Sequence, residues 1–217
     1  MSRRAFDYSF LGIGLLIQIG TYLLMPHESW LSVVSGCLGV CSVCLTSQGK
    51  IIAFAFGFAQ VGTYTYLCLQ QRFYAEIAIN GYYFLTMLYG VYVWKKHLGQ
   101  DNQTINPRHL SYSILSLIVV LTAALSGLAG WALASWTDDT QPYLDAFTTV
   151  PALVAQVLMI LVYREHWLIW LAVDILSIAL WLRAGDYCMT AQYAFWCGNC
   201  IYGILRWQRL SRRADFI

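Results

Sequence analysis

Eight apolar segments occupy most of this chain, and each has about the length that a membrane-spanning helix requires. A transmembrane helix needs ~20 mostly apolar residues because the hydrocarbon core of a bilayer is about 30 Å thick. Only 11% of the residues are charged, whereas soluble domains have about 25%. The sequence therefore predicts an all-α integral membrane protein whose eight spans lie near residues 8–25, 30–46, 51–70, 73–94, 110–136, 143–162, 166–182 and 187–205.

The basic residues are distributed unevenly over the loops that join these segments. With eight spans and a cytoplasmic N-terminus, 11 of the 13 lysines and arginines fall in inside segments, and only Arg72 and Arg183 fall outside. Cytoplasmic loops of membrane proteins carry an excess of Lys and Arg. Both termini are therefore predicted to be cytoplasmic. Asp138 and Asp139 fall outside, although acidic residues carry little topological weight.

Two of the segments end with the same pattern, YGVYVWKK at 89–96 and YGILRWQR at 202–209. Further upstream, each copy has one lone basic residue in an inside loop and one lone arginine in an outside loop. Because several features match in the same order, we predict two three-helix repeats, residues 30–97 and 142–209, each starting outside and ending inside.

If two three-helix repeats were joined directly, the second would lie in the membrane with the opposite orientation to the first. The span at 110–136, within a linker segment 98–141, restores the direction. The predicted architecture is therefore a 3+1+3 helix bundle with parallel repeats. Residues 1–29 add an extra N-terminal helix and residues 210–217 form a cytoplasmic tail. SWEET transporters have parallel repeats, and transporters of this kind bind substrate near the bilayer midplane at the repeat interface.

Several polar side chains fall inside the predicted spans, where they are costly and usually face the interior of the helix bundle or a substrate path. Asp174 lies near the middle of its segment with no basic residue within a helical turn. It is either a protonated carboxyl that joins helices or a charge that faces a cationic or polyhydroxy ligand. Gln60 and Asp174 each lie ten residues after a lone basic residue, Lys50 and Arg164, which predicts equivalent depths. The other candidates in these segments are Thr149, Gln156, Ser177 and Trp181.

The last helix of each repeat carries the clearest candidate face. An aromatic residue, a hydrogen-bonding residue and a glycine follow one another at spacings that keep them on one side of a helix. Aromatic faces attract cations, so the pattern suits a flat, polar and cationic ligand; packing or a place in the aromatic belt is the alternative. The residues are Asn80, Tyr83 and Thr86 with Gly90, and Gln192, Trp196 and Asn199 with Gly203. We predict the two glycines to be packing points, and Trp94 and Trp207 to be interface residues.

Other kinds of site receive little support. Pro151 can kink its helix and is a candidate gate hinge. The seven cysteines lie within apolar segments and are expected to pack as small apolar residues. The four histidines lie at span ends, and we find no catalytic motif, metal-binding set or cofactor site. The basic C-terminal stretch is a topological flank, so no nucleic-acid partner is predicted.

Two long segments of the chain resemble the PnuC family of vitamin transporters. The resemblance rests on residues 145–181, DAFTTVPALVAQVLMILVYREHWLIWLAVDILSIALW, and on RFYAEIAINGYYFLTMLYGVYVW at 72–94, and it covers about residues 30–209. It implies a SWEET-like fold and uptake of nicotinamide riboside, a precursor of NAD, across the bacterial inner membrane. It further implies facilitated diffusion, trapping by a cytoplasmic riboside kinase, and a homo-oligomer, with a trimer as the candidate state. Membrane lipid is the other expected partner.

That ligand suits the predicted faces. Nicotinamide riboside has a pyridinium ring for the aromatic side chains, a carboxamide for asparagine or glutamine, and ribose hydroxyls for Asp174, Ser177 and Gln156. With no buried lysine or arginine in the spans, a phosphorylated ligand is disfavoured. The alternatives are transport of thiamine, riboflavin, a deoxynucleoside or a sugar. A membrane-embedded enzyme or an assembly protein fits less well, and Asp174 leaves proton coupling open.

Overall fold

The structure is a computed structural model that describes residues 3–24, 29–138, 140–185 and 187–214, without the side chains of residues 3, 4, 75, 184, 188 and 212–214. Asp139 and one of the four histidines, His27, lie outside the described residues, as do the side chains of four N- and C-terminal arginines counted as inside charges. The described part of the chain is all-helical.

Eight helices run through the described residues, and each corresponds to one of the eight predicted segments. The prediction of the helices is therefore confirmed, with differences of a few residues at most ends. The last helix is the exception, because it continues well beyond the predicted span. The helices are α1 Arg3–Leu24, α2 Trp30–Ser47, α3 Ala53–Gln71, α4 Tyr74–Lys96, α5 Tyr112–Trp136, α6 Pro142–Ile160, α7 His166–Ala184 and α8 Tyr187–Ala214.

Five of these helices, α1, α2, α5, α6 and α7, are long and apolar enough to cross a membrane by length and composition alone. The other three, α3, α4 and α8, are at least as long as α2 but are less apolar. In α4 and α8, which carry six of the candidate ligand residues, tyrosine, amide and charged side chains lower the hydropathy.

The chain forms two compact units, residues 1–105 and 106–217. In the first unit α1 packs on α2, α2 on α3 and α3 on α4. In the second unit α5 packs on α6, α6 on α7 and α7 on α8. Each unit is thus a row of four helices in which neighbours in sequence are neighbours in space. Within each unit, the loops between the long apolar helices are short, so each helix packs against the one before it.

The backbones of α2–α4 and α6–α8 follow the same course at an offset of 113 residues. The loop after α2 turns at Gly49, with φ 74°, and the loop after α6 turns at Val162, with φ 66°. The next loop turns at Arg72 in the first unit, with φ 59°, and at Gly185 in the second, with φ 76°. Glycine adopts this left-handed conformation at little cost, whereas valine is strained there.

The offset of 113 residues shows that Gln60 and Asp174 do not lie at equivalent positions of α3 and α7. Gln60 aligns with Val173, and Asp174 aligns with Val61, since 60 plus 113 is 173. One residue along a helix changes depth by about 1.5 Å but rotates the side chain by roughly a quarter of a turn. The two side chains are therefore close in depth within their helices but do not occupy equivalent faces.

Each unit contains an aromatic cluster that includes the tryptophan near the end of its last helix. The rings of Phe54 and Trp94 meet edge to face at 4.9 Å, and those of Trp167 and Trp207 meet edge to face at 6.0 Å. Trp94 and Trp207 are both 0% exposed, so their predicted place in an interfacial belt is wrong. The prediction for Gly203 holds, because an added Cβ would lie 2.5 Å from the Trp167 ring; Gly90 is buried.

The linker after α4 is fixed by hydrogen bonds to each unit's own loop. The amide of Ile51 donates to Gln103 O, and the amide of Arg108 donates to Val162 O, at 3.1 and 2.8 Å. Within the linker, the amides of Thr104 and Gln103 donate to the Asp101 carboxylate. These bonds hold the pKa of Asp101 below its usual value, because they stabilise the ionised form.

The N-terminal helix α1 packs on α2 through one polar side chain. The side chain of Gln18 lies against Gly36, where an added Cβ would overlap it. The Gln18 Oε1 atom is buried and has no hydrogen-bond partner among the described residues. Since glycine lets helices approach closely, Gly36 allows Gln18 to reach the α2 backbone.

We expect Gly36→Leu to loosen α1 from α2, because the new side chain occupies the space of Gln18. Hydrogen exchange measured by mass spectrometry should then be faster in α1 and unchanged in α6–α8. Adding Gln18→Ala should restore slow exchange in α1, since it vacates the same space. Equal protection of α1 in the parent and in Gly36→Leu would contradict this contact.

Candidate ligand-binding site

The second unit contains a row of buried polar side chains from three successive helices. Gln156 of α6 is 5% exposed, and Asp174 and Ser177 of α7 are 5% and 4% exposed. Asn199 of α8 is 0% exposed. Buried polar groups are costly unless they are hydrogen-bonded, so these four residues are the candidates for a ligand-binding interior in this unit.

Asp174 is held against α8 by a cysteine. Cys200 Sγ donates to Asp174 Oδ2 at 3.2 Å, and both side chains are buried. Among the described residues Asp174 forms no ion pair. A buried carboxylate without a cationic partner is strongly disfavoured as an ion. The site can therefore accommodate either a proton on Asp174 or a cation brought by a ligand.

Asn199, next to Cys200 in the chain, is the most unusual of these residues. Its Oδ1 and Nδ2 atoms are both buried, and neither has a hydrogen-bond partner among the described residues. Leaving a buried polar group unpaired costs about 1–3 kcal/mol. An amide presents both an acceptor and a donor, so a ligand carboxamide would satisfy both atoms at once.

The remaining candidates of the second unit are less buried than these four. Trp196 lies one turn before Asn199 on α8 and is half-buried, and Gln192 and Trp181 are also half-buried. Thr149 is exposed, and nothing places it near the buried row. Pro151 lies inside α6, where it removes a backbone donor and weakens the helix locally.

The candidate residues of the first unit make more of their hydrogen bonds within their own helices. Asn80 is buried and its Nδ2 donates to Glu76 O at 2.8 Å. The Thr86 hydroxyl is bonded to Tyr82 O and Tyr83 O. Tyr83 is half-buried, and the stem of Gln60 faces Gly39. Among these described candidates, none has an amide whose oxygen and nitrogen are both buried and unpaired, as those of Asn199 are.

Basic atoms of two residues are buried in the second unit. His166 is 0% exposed, with its ring 4.5 Å from those of Trp167 and Trp207, so it is a core residue. Arg206 is half-buried, but its Nε and Nη1 atoms are buried without a partner among the described residues. The sequence placed Arg206 beyond the last span, whereas the structure includes it in α8, which continues to Ala214.

A sequence profile described as that of the nicotinamide mononucleotide transporter matches residues 29–209. This protein belongs to that family. The resemblance to PnuC transporters over residues 30–209 is thereby confirmed, and the chain is a transporter and not an enzyme.

Curated relatives cover nearly the whole chain. It is 31% identical to the nicotinamide riboside transporter PnuC of Haemophilus influenzae, over 98% of this chain and 93% of that protein. It is 30% identical to PnuC of Neisseria mucosa, over 96% and 82%. A crystal structure of the vitamin B3 transporter PnuC superposes with a TM-score of 0.79 at 29% identity, covering 98% of this chain and 94% of that one.

The buried polar row is consistent with membership of a transporter family. A transporter must hold its substrate at membrane depth by groups that are costly to keep there. The two descriptions differ, however, in the molecule they name, since the profile names the mononucleotide and the curated relatives name the riboside. The two molecules differ by a phosphate group, so the charges near Asn199 bear directly on the choice.

Proposed function

We propose that this protein carries nicotinamide riboside across the bacterial inner membrane, and that Asn199 recognises the carboxamide of that ligand. The observation that supports this assignment is the fully buried, unpaired amide of Asn199 in a member of a family whose curated relatives are named nicotinamide riboside transporters. An amide pairs with a carboxamide through one donor and one acceptor.

Four other side chains of the second unit supply the remaining interactions. Asp174 provides a carboxylate for the positive pyridinium ring, since the described residues give it no cation of their own. Trp196 provides an aromatic face on which that ring can stack, because cations are attracted to the face of an indole. Ser177 and Gln156 offer hydrogen bonds to the ribose hydroxyls.

The riboside is favoured over the mononucleotide by the distribution of charge. Arg206 lies seven residues after Asn199, about 10 Å further along α8, and Asp174 is hydrogen-bonded to the residue next to Asn199. A phosphate needs several charge-assisted hydrogen bonds close by, whereas a carboxylate repels it. A phosphate placed beside Asp174 would therefore be unstable.

The chain topology follows from the charges and the repeat. We infer eight spans with both termini cytoplasmic, and a 3+1+3 arrangement in which α2–α4 and α6–α8 are parallel repeats, α5 is the inversion helix and α1 is additional. The matching left-handed turns at an offset of 113 residues support the repeat. We further propose that transport is facilitated diffusion by alternating access, with Pro151 as a hinge. A cytoplasmic kinase then traps the substrate, and the protein forms a homo-oligomer.

The proposed substrate is tested by ligand-induced thermal stabilisation of the purified protein. A ligand that binds only the folded state raises the melting temperature, increasingly so as its concentration exceeds Kd. We expect stabilisation by nicotinamide riboside, and none by its mononucleotide, thiamine, riboflavin or glucose at equal concentration. Stabilisation by another compound in the series but not by the riboside would overturn the proposal.

We expect Asp174→Asn to weaken binding of the riboside about tenfold or more, because it removes the buried carboxylate that we assign to the pyridinium charge. The reduced riboside is a matched control, since its ring is uncharged while its carboxamide and ribose remain. Calorimetry should show that the substitution narrows the difference in affinity between the oxidised and reduced ribosides. An equal loss for both ligands would mean that Asp174 acts on something other than the ring charge.

A further inference from the structure

Two cavities open on the second unit, and neither is lined by the buried polar row. The first, of about 460 Å³, lies at the end of the unit that holds the start of α6 and the end of α7. The second, of about 270 Å³, runs between α5, α6 and α7. Phe147 and Leu176 line both cavities, so these two residues lie where the cavities adjoin.

The second cavity is an apolar groove. Its walls consist of aliphatic side chains, one phenylalanine and Pro151, together with two hydroxyl residues. The Ser126 hydroxyl donates to Thr122 O at 2.9 Å, so it needs no ligand. Val119 and Leu168, 51% and 49% exposed, open the groove to the surroundings of the unit. A charged pyridinium ring finds no partner there, whereas a hydrocarbon chain does.

The first cavity is the polar mouth of this groove. Arg183 lines it, and no ion pair of Arg183 occurs among the described residues. The first residues of α6 line it as well, from Pro142 to Leu144. The start of a helix carries a partial positive charge, although Pro142 has no N–H to donate and Asp145 in the same turn of α6 is acidic. The mouth therefore offers a guanidinium and a helix N-terminus on one side and apolar side chains on the other.

The mouth and groove together have a length that matches the thickness of one leaflet of a bilayer. Arg183 lies in the last turn of α7, which is at the outside end of this helix in the proposed topology, at the level where phosphate groups are found. From Arg183 to Ala172 is eleven residues of α7, which is about 16 Å and about half of the 30 Å hydrocarbon core. A chain that starts at Arg183 would end near Ala172 and Pro151, both of which line the groove.

We propose that this mouth and groove form a phospholipid site, in which the lipid phosphate binds Arg183 at the start of α6 and one acyl chain lies between α5, α6 and α7. The site is separate from the proposed riboside site, because it contains none of the buried polar residues. It would place hydrocarbon directly against Pro151, where α6 lacks a backbone hydrogen bond.

The test is native mass spectrometry of the intact protein in detergent with dioleoyl phosphatidylglycerol. We expect Arg183→Gln to weaken lipid binding about threefold to tenfold, the effect of losing a partly exposed charge-assisted hydrogen bond. Ala123→Phe should also weaken it, since Ala123 lines the groove and the larger side chain fills it. Arg72→Gln is the matched control, because Arg72 is an exposed outside arginine that lines neither cavity.

A phosphate-specific site also predicts a difference between lipids. Binding of dioleoylglycerol, which has the same chains without phosphate, should be unaffected by Arg183→Gln. The proposal is wrong if Arg183→Gln leaves phosphatidylglycerol binding unchanged, or if Arg72→Gln lowers it equally. Should Ala123→Phe fail to fold, the comparison of the two arginine variants decides alone.

Discussion

Replacing Asn199 with leucine should weaken binding of nicotinamide riboside about 10-fold to 100-fold, the cost of losing two hydrogen bonds to the ligand. The same change should leave the ligand-free protein as stable as before or make it more stable. The reason is that both amide atoms of Asn199 are buried without a partner when no ligand is bound. An apolar side chain of similar size avoids that penalty. The residue thus destabilises the empty protein and stabilises the complex.

Two measurements on the same samples check this expectation. Calorimetry gives the affinity for the riboside, and thermal unfolding without ligand gives the stability. Ile201→Ala is a matched control on α8, because Ile201 is 52% exposed and lies two residues away on another face. Lower stability together with unchanged affinity would make Asn199 an ordinary packing residue.

Replacing Gly203 with valine should be the most disruptive single change in the second unit. A Cβ at this position would lie 2.5 Å from two ring atoms of Trp167. That ring is 2% exposed and packs against His166 and Trp207, so it has little room to move. Inserting bulk into a packed interior typically costs about 1–3 kcal/mol, and occasionally more. The melting temperature of the purified protein should fall by several degrees.

Gly127→Val is the control for this change, because Gly127 also lies within a helix, α5, but has nothing within 4 Å of its Cβ position. Valine favours helix more than glycine does, so this variant should be at least as stable as the parent. If both variants melt at the temperature of the parent, the close contact between Gly203 and Trp167 is not important for stability.

The positions of the helices could be predicted from the sequence because length and apolar character are local properties. Segments such as 166–182 and 143–162 had to be helical, since in a membrane each backbone polar group must be paired within its own segment. The repeat could also be detected locally, from the two Tyr-Gly patterns and the isolated basic residues. Its exact register could not, because the left-handed turns at Val162 and Arg72 have no glycine to reveal them.

Burial was harder to predict than position. Trp94 and Trp207 were expected at a membrane interface, yet both are fully enclosed. In the second unit, Gly203, one turn before Trp207, lets Trp167 of the neighbouring helix approach closely. The Gly-x3-Trp spacing places both residues on one face and was the signal that could have revealed this. Nothing local indicated that side-chain nitrogens of Arg206 would be buried, since that depends on α8 extending beyond the apolar stretch.

The candidate site was predicted in part. The sequence singled out Gln156, Asp174, Ser177 and Asn199, and the structure buries all of them in one unit. It could not show that Cys200 is bonded to Asp174, because that contact joins two helices. Nor could it separate Asn199, whose amide is unpaired, from Asn80, whose amide is bonded within its own helix.

The most direct test of the central claim is uptake of radiolabelled nicotinamide riboside into proteoliposomes that contain the purified protein. We predict saturable uptake that excess unlabelled riboside abolishes and that the mononucleotide leaves intact, and we predict that Asn199→Leu greatly reduces uptake at low substrate concentration. Equal competition by the mononucleotide, or full uptake by Asn199→Leu, would contradict recognition of the riboside by the buried amide.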